Sequence, residues 1–103
     1  MIKVSVLYPN GTGATFNIDY YLKSHMPMVQ KKLGAALKGM SVEEGLGGIP
    51  PGSPAPYLAA GHLLFDSVED FSAAFGAHAE SIMADIPNYT NTQPTIQIGL
   101  VKL

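Results

Sequence analysis

Residues 57–65 read YLAAGHLLF, nine residues with no formal charge, and they limit the fold more than any other stretch. In a β-strand, Tyr57, Ala59, Gly61, Leu63 and Phe65 point to one side, and Leu58, Ala60, His62 and Leu64 to the other. Both sides are mainly apolar. The closing run TIQIGLVKL, from Thr95, behaves alike, with Ile96, Ile98 and Leu100 opposite Gln97, Gly99, Val101 and Leu103. An antiparallel sheet that is wet on one face alternates apolar with polar residues, so this sheet is expected to be covered on both. The remaining chain offers two helical patterns, enough for one face. The other face is expected to pack on a second copy, giving a C2 homodimer. Charged residues make up only 14% of the chain, against about 25% in an average domain, which favours the same association.

The other segments fill in the order. Ile2–Tyr8 is rich in β-branched residues and stops at Pro9-Asn10-Gly11, a strand followed by a turn. A helix is expected from Asn17, a plausible N-cap, to about Leu33, with Asp19 in its first turn and Gly34 as its stop. Residues 36–44 read as a weak second strand. Residues 45–56, GLGGIPPGSPAP, form a loop that is either a lid or a plain hairpin connection. Ser67 caps a second helix, with Asp70 at the capping-box position, and Pro87-Asn88 ends it after about Asp85. The order β-α-β-β-α-β in one domain, residues 1–103, predicts a ferredoxin-like α+β sandwich with a four-stranded antiparallel sheet.

Several function classes drop out. Six basic residues form no stripe and net charge is −2, so nucleic-acid binding is not expected. No cysteine is present, which removes disulfides, thiolate chemistry and Cys-ligated metal. No apolar run approaches the roughly 20 residues of a membrane span, and the N-terminal stretch lacks the form of a signal peptide. A soluble cytoplasmic protein is the expectation. Residues 10–13, NGTG, lack the third glycine of a dinucleotide loop, since that position is Phe16, and read as a turn. No motif calls for a cofactor, and no HxxxH or HExxH spacing calls for a metal.

The histidines carry the chemical interest. On a helical wheel, Ile18, Leu22, Val29 and Leu33 form a stripe, and His25 falls inside it. Pro27, two residues on, lacks an N–H and crowds the carbonyl of Lys23, so a kink near His25 is expected. Two readings remain. His25 is a core histidine satisfied by a freed carbonyl, or it is a general base facing a cavity, for which a pKa near 6.5 suits it. In the second helix, Phe71, Phe75, Ile82 and Ile86 form a stripe that includes His78. Five tyrosines (8, 20, 21, 57 and 89) are available to hydrogen-bond or stack.

Phe16, Tyr20, Tyr21, His25, Pro27, Met28 and Val29 form a pattern that resembles the F-x-x-Y-W-x-x-x-H-x-P-L signature of the EthD family, named for ethyl tert-butyl ether degradation. The resemblance extends to HLLFDSVEDF (62–71) and DIPNYTNTQPTIQI (85–98). It implies a dimeric α+β barrel of ferredoxin-like subunits, with His25 facing a small pocket between helix and sheet. Relatives with this barrel include cofactor-free monooxygenases of phenols, muconolactone isomerases and haem-degrading enzymes. Tyr21 stands where the signature has tryptophan, and Met28 where it has leucine. The resulting expectation is a protein binding a small oxygenated organic compound, without cofactor, as an isomerase or monooxygenase with His25 as base. Tyr21, Gln97, His78 and Tyr89 are candidates for substrate contact. The alternative is a non-catalytic dimeric binder or accessory protein for a partner oxygenase, with His25 structural.

Overall fold

The computed structural model describes residues 1–103. Four strands, β1 (Ile2–Pro9), β2 (Gly39–Glu44), β3 (Tyr57–Phe65) and β4 (Thr95–Leu100), form one sheet in the order β2-β3-β1-β4. All three pairings are antiparallel. β1 and β3, the two longest strands, are central. This is the ferredoxin-like arrangement expected from the element order. No helix is long and apolar enough to cross a membrane.

The helices differ from expectation in two instructive ways. The first helical segment is α1 (Ile18–Tyr20), a π-helical turn (Tyr21–His25) and α2 (Met26–Leu33), in unbroken succession. Asn17 caps its start by accepting from the Tyr20 N–H. The disturbance expected near His25 takes the form of a widened turn, in which the Met26 N–H reaches back five residues to the Tyr21 carbonyl. A wider turn advances less per residue, which aligns side chains four apart and swings those three apart to the side. Tyr21 and His25 are therefore buried together, followed by Met26, Val29 and Leu33, whereas Leu22 is 47% exposed. Leu22 does not belong to the buried stripe; Tyr21 takes its place.

The second helical region is interrupted too. α3 (Val68–Gly76), capped by the Ser67 hydroxyl on the Asp70 N–H, ends before α4 (Ala79–Ala84) begins. His78, at the break, has φ −129° and ψ 5°. A single helix to Asp85 would have held His78 within the stripe; the break turns it half out. β2 begins at Gly39, because residues 34–36 make a 3₁₀ turn after Gly34, whose φ of 60° needs glycine.

The helices cover the face bearing Val4, Tyr8, Gly61, Leu63 and Phe65, and the core forms between them. The pairings Ser41–His62, Ser5–His62 and Ser5–Gln97 set a polar row across the opposite, uncovered face, among Leu7, Leu58 and Leu64. That face is therefore less uniformly apolar than two strands alone suggested. The most exposed apolar residues of the sheet are Ile96, Ile98 and Leu100, on the helix side of edge strand β4, which the helices leave uncovered.

Candidate functional site

One apolar cavity of about 70 Å³ lies between the sheet and the helices. Val4, Val6, Leu63 and Ile96 form its floor, and Val29, Phe71, Phe75 and Ile82 its roof. Its rim includes Met83 and Ile96, both more than 40% exposed, so it opens between α4 and β4. At roughly 10–15 Å³ of such space per water, the volume matches about five to seven waters, or one small ring compound. Three polar side chains line it: Tyr8, Tyr21 and His25.

The π turn brings two of them there. Tyr21 and His25, four residues apart, stack at 5.4 Å with 13° between planes. Gly61, on β3, makes room for Tyr21: a Cβ there would overlap the Tyr21 hydroxyl. Tyr8 comes from the end of β1 and packs edge-on against Phe16, Tyr21 and Tyr89.

Behind this wall runs a chain of hydrogen bonds. The Tyr8 and Tyr89 hydroxyls are 2.6 Å apart, and the Tyr89 hydroxyl lies 3.5 Å from His25 Nε2. His25 Nδ1 lies 2.9 Å from Asp85 Oδ2. A carboxylate only accepts, so Nδ1 carries the proton and Nε2 is left as an acceptor. Asp85 also accepts from the Tyr20 hydroxyl at 2.7 Å and from Asn88 Nδ2 at 2.9 Å.

The segment holding Asp85 and Tyr89 is fastened to the start of the first helix. The Asn17 N–H donates to the Tyr89 carbonyl at 2.7 Å, and Thr90 Oγ1 to the Thr15 carbonyl at 2.6 Å. Asn91 accepts from the Thr15 N–H and donates to the Gly13 carbonyl, so the NGTG stretch is a pinned turn. These bonds fix the distance between the two helical regions and hence the His25–Asp85 pair.

Burial pushes the His25 pKa below its ordinary value, against the opposing pull of Asp85, so the ring is neutral at pH 7. Burial by itself would raise the Asp85 pKa; hydrogen bonds from Asn88, His25 and Tyr20 outweigh it and leave the carboxyl lowered and ionised. Burial drives the pKa values of Tyr8, Tyr21 and Tyr89 up, so their hydroxyls keep their protons. The arrangement offers a neutral imidazole, the Tyr21 hydroxyl as a donor and the Tyr8 hydroxyl as an acceptor at the end of an apolar cavity, able to hold one oxygen-bearing ligand and to move a proton.

Of the candidate residues, His25 and Tyr21 lie on the cavity wall, and Tyr89 lies just behind it, 3% exposed. Gln97 is exposed on the opposite face of the sheet, in register with Ser5. His78 sits at the helix break, outside the cavity lining, so His25 and His78 do not share this cavity. Sequence reasoning passed over Asp85, Tyr8 as a specific contact and Gly61. Asp85 left one signal: an acid at the C-terminal end of a helix opposes the helix dipole and needs another reason to be there.

The EthD domain profile matches residues 11–93. The chain belongs to the EthD family. An EthD-like protein of Ralstonia eutropha JMP134 is 43% identical, with a TM-score of 0.95 over 99% of this chain and 92% of that one. An ethyl tert-butyl ether degradation (EthD) family protein of Bacillus halodurans C-125 is 20% identical, with a TM-score of 0.74 over 99% of each chain. A dimeric ferredoxin-like protein from an uncultured marine organism shares the fold, at 12% identity and a TM-score of 0.62 over 100% of this chain and 96% of that one. No functionally curated protein shows significant similarity to the chain. The matched EthD region takes in Tyr21, His25, Gly61, Asp85 and Tyr89, and leaves β4 outside.

Proposed function

We propose that this EthD-family protein binds a small, mostly apolar, oxygenated organic compound in the cavity beside His25, with His25 acting as general base. The reaction class is isomerisation or cofactor-independent oxygenation, both of which begin with loss of a proton from a phenol, enol or activated C–H. The single observation that carries this reading is the His25–Asp85 pair set at the wall of an apolar cavity, with Nε2 left as an acceptor 3.5 Å from the Tyr89 hydroxyl. His25 takes the proton directly or through the Tyr89 and Tyr8 hydroxyls, while the electron pair moves to the ligand oxygen. Tyr21 is a contact for that oxygen. Low overall charge and the uncovered sheet face support action as a homodimer.

A second reading is a non-catalytic binder or accessory protein for a partner oxygenase. What favours it is how fully His25 is satisfied, with a partner near each ring nitrogen. Deuterium exchange of the acetophenone methyl group in D₂O, followed by NMR, separates the two. Wild type is expected to accelerate exchange, and His25→Gln to bind acetophenone equally while losing the acceleration, a loss of roughly 10²–10⁴-fold. Equal rates for both proteins, with binding intact, would exclude the base role and leave the binder.

A further inference from the structure

Building on the reading of the cavity as a ligand site, we infer that it selects an uncharged ketone or phenol over a carboxylate, and that Gly61 sets this selectivity by admitting the Tyr21 hydroxyl to the wall. The cavity lining contains no lysine, and the chain contains no arginine. The nearest charge is negative: the Asp85 carboxylate, one imidazole behind the wall. A carboxylate ligand would surrender its hydration to a mostly hydrocarbon surface, gain no cation, and face Asp85 through His25. Burial of an unpaired charge is strongly disfavoured. A carbonyl oxygen loses far less on entry and recovers it from one hydroxyl donor.

Tyr21 is that donor because of what stands opposite. At position 61 any side chain would overlap the Tyr21 hydroxyl, and the contact is with the phenol tip, which sits on a rigid ring stacked on His25. The ring has little freedom to yield. Glycine in the middle of a central, well-paired strand weakens that strand, and here it accommodates a hydroxyl at the cavity.

Three ligands of nearly one shape test the inference: acetophenone, α-methylstyrene and benzoate, titrated at pH 7.5 into the full chain and followed by protein NMR shifts. Wild type is expected to bind acetophenone at least about a hundredfold more tightly than benzoate. Tyr21→Phe, which keeps the ring, is expected to weaken acetophenone about five- to tenfold and leave α-methylstyrene unchanged. Gly61→Ala is expected to produce the same loss by displacing the hydroxyl. Benzoate binding as tightly as acetophenone, or an acetophenone affinity indifferent to Tyr21→Phe, would overturn the selectivity while α-methylstyrene binding keeps the cavity reading alive. Failure of all three ligands to bind would overturn both.

Discussion

Replacing Asp85 by asparagine isolates what the carboxylate does for His25. Asparagine keeps the shape but offers one acceptor oxygen and an NH₂ group in place of two acceptors. The wild-type carboxylate receives three hydrogen bonds, from His25, Tyr20 and Asn88, at 2.7–2.9 Å. At about 1 kcal/mol net each these total about 3 kcal/mol. The side chain is 18% exposed and its outer bonds are screened by water, so about 1–2 kcal/mol is the expected loss. For a chain of this size that is a fall in Tm of about 5–15 °C by calorimetry. The more telling assay is the imidazole itself. In wild type the Nδ1–H tautomer should dominate the ¹⁵N spectrum of His25. In Asp85→Asn that preference should weaken. The His25 pKa should also fall further, because burial, which lowers it, remains while the opposing carboxylate is gone. An unchanged tautomer and an unchanged or higher midpoint would show that Asp85 does not orient His25, whatever happens to the Tm.

Two further outcomes follow from the same geometry. His25 has a folded pKa below its unfolded value of about 6.5, so its contribution is complete above that pH and is lost as pH falls through the folded value; Asp85, also lowered, gives a second loss below about 3.8. Urea midpoints should therefore decline on acidification from pH 7 in two stages, and a midpoint that rises between pH 7 and 5 contradicts the sign. The chain should sediment as a dimer at micromolar concentration and Leu7→Lys, on the uncovered sheet face, as a monomer; a monomeric wild type would remove the case for a covered second face.

What the sequence disclosed and what it hid divide along one physical line. Strands, caps and turns depend on neighbours in the chain, and these were legible: Asn17 and Ser67 cap as their side chains demand, and the alternation in residues 57–65 gives both the central strand and its faces. The inward placement of His25 was legible too, but for an incomplete reason. A wheel at a fixed 100° per residue put Leu22 in its stripe, and the π turn overturns that by aligning Tyr21 with His25. Pro27 announced a disturbance without saying whether the chain would bend or widen, because that choice depends on what the widened turn buries.

The partner of His25 was beyond local reasoning altogether, since Asp85 lies 60 residues away and meets it in a fold where residues 89–91 are stitched to residues 13–17. Gln97 and His78 do not converge on the site despite suitable chemistry, each for a reason of its own. Strand parity sends Gln97 to the far face, and the helix break at His78 removes it from the cavity side. A residue type marks what a side chain is able to do, and the long-range bonds decide where it does it. In this fold the π turn and the segment from Asp85 to Asn91 are two parts of one device. The first turns Tyr21 and His25 inward, and the second brings a carboxylate and the Tyr89 hydroxyl to meet them. Neither part produces a site without the other, so a lesion in the stitching, remote from the cavity, should disturb His25 as surely as one in Asp85.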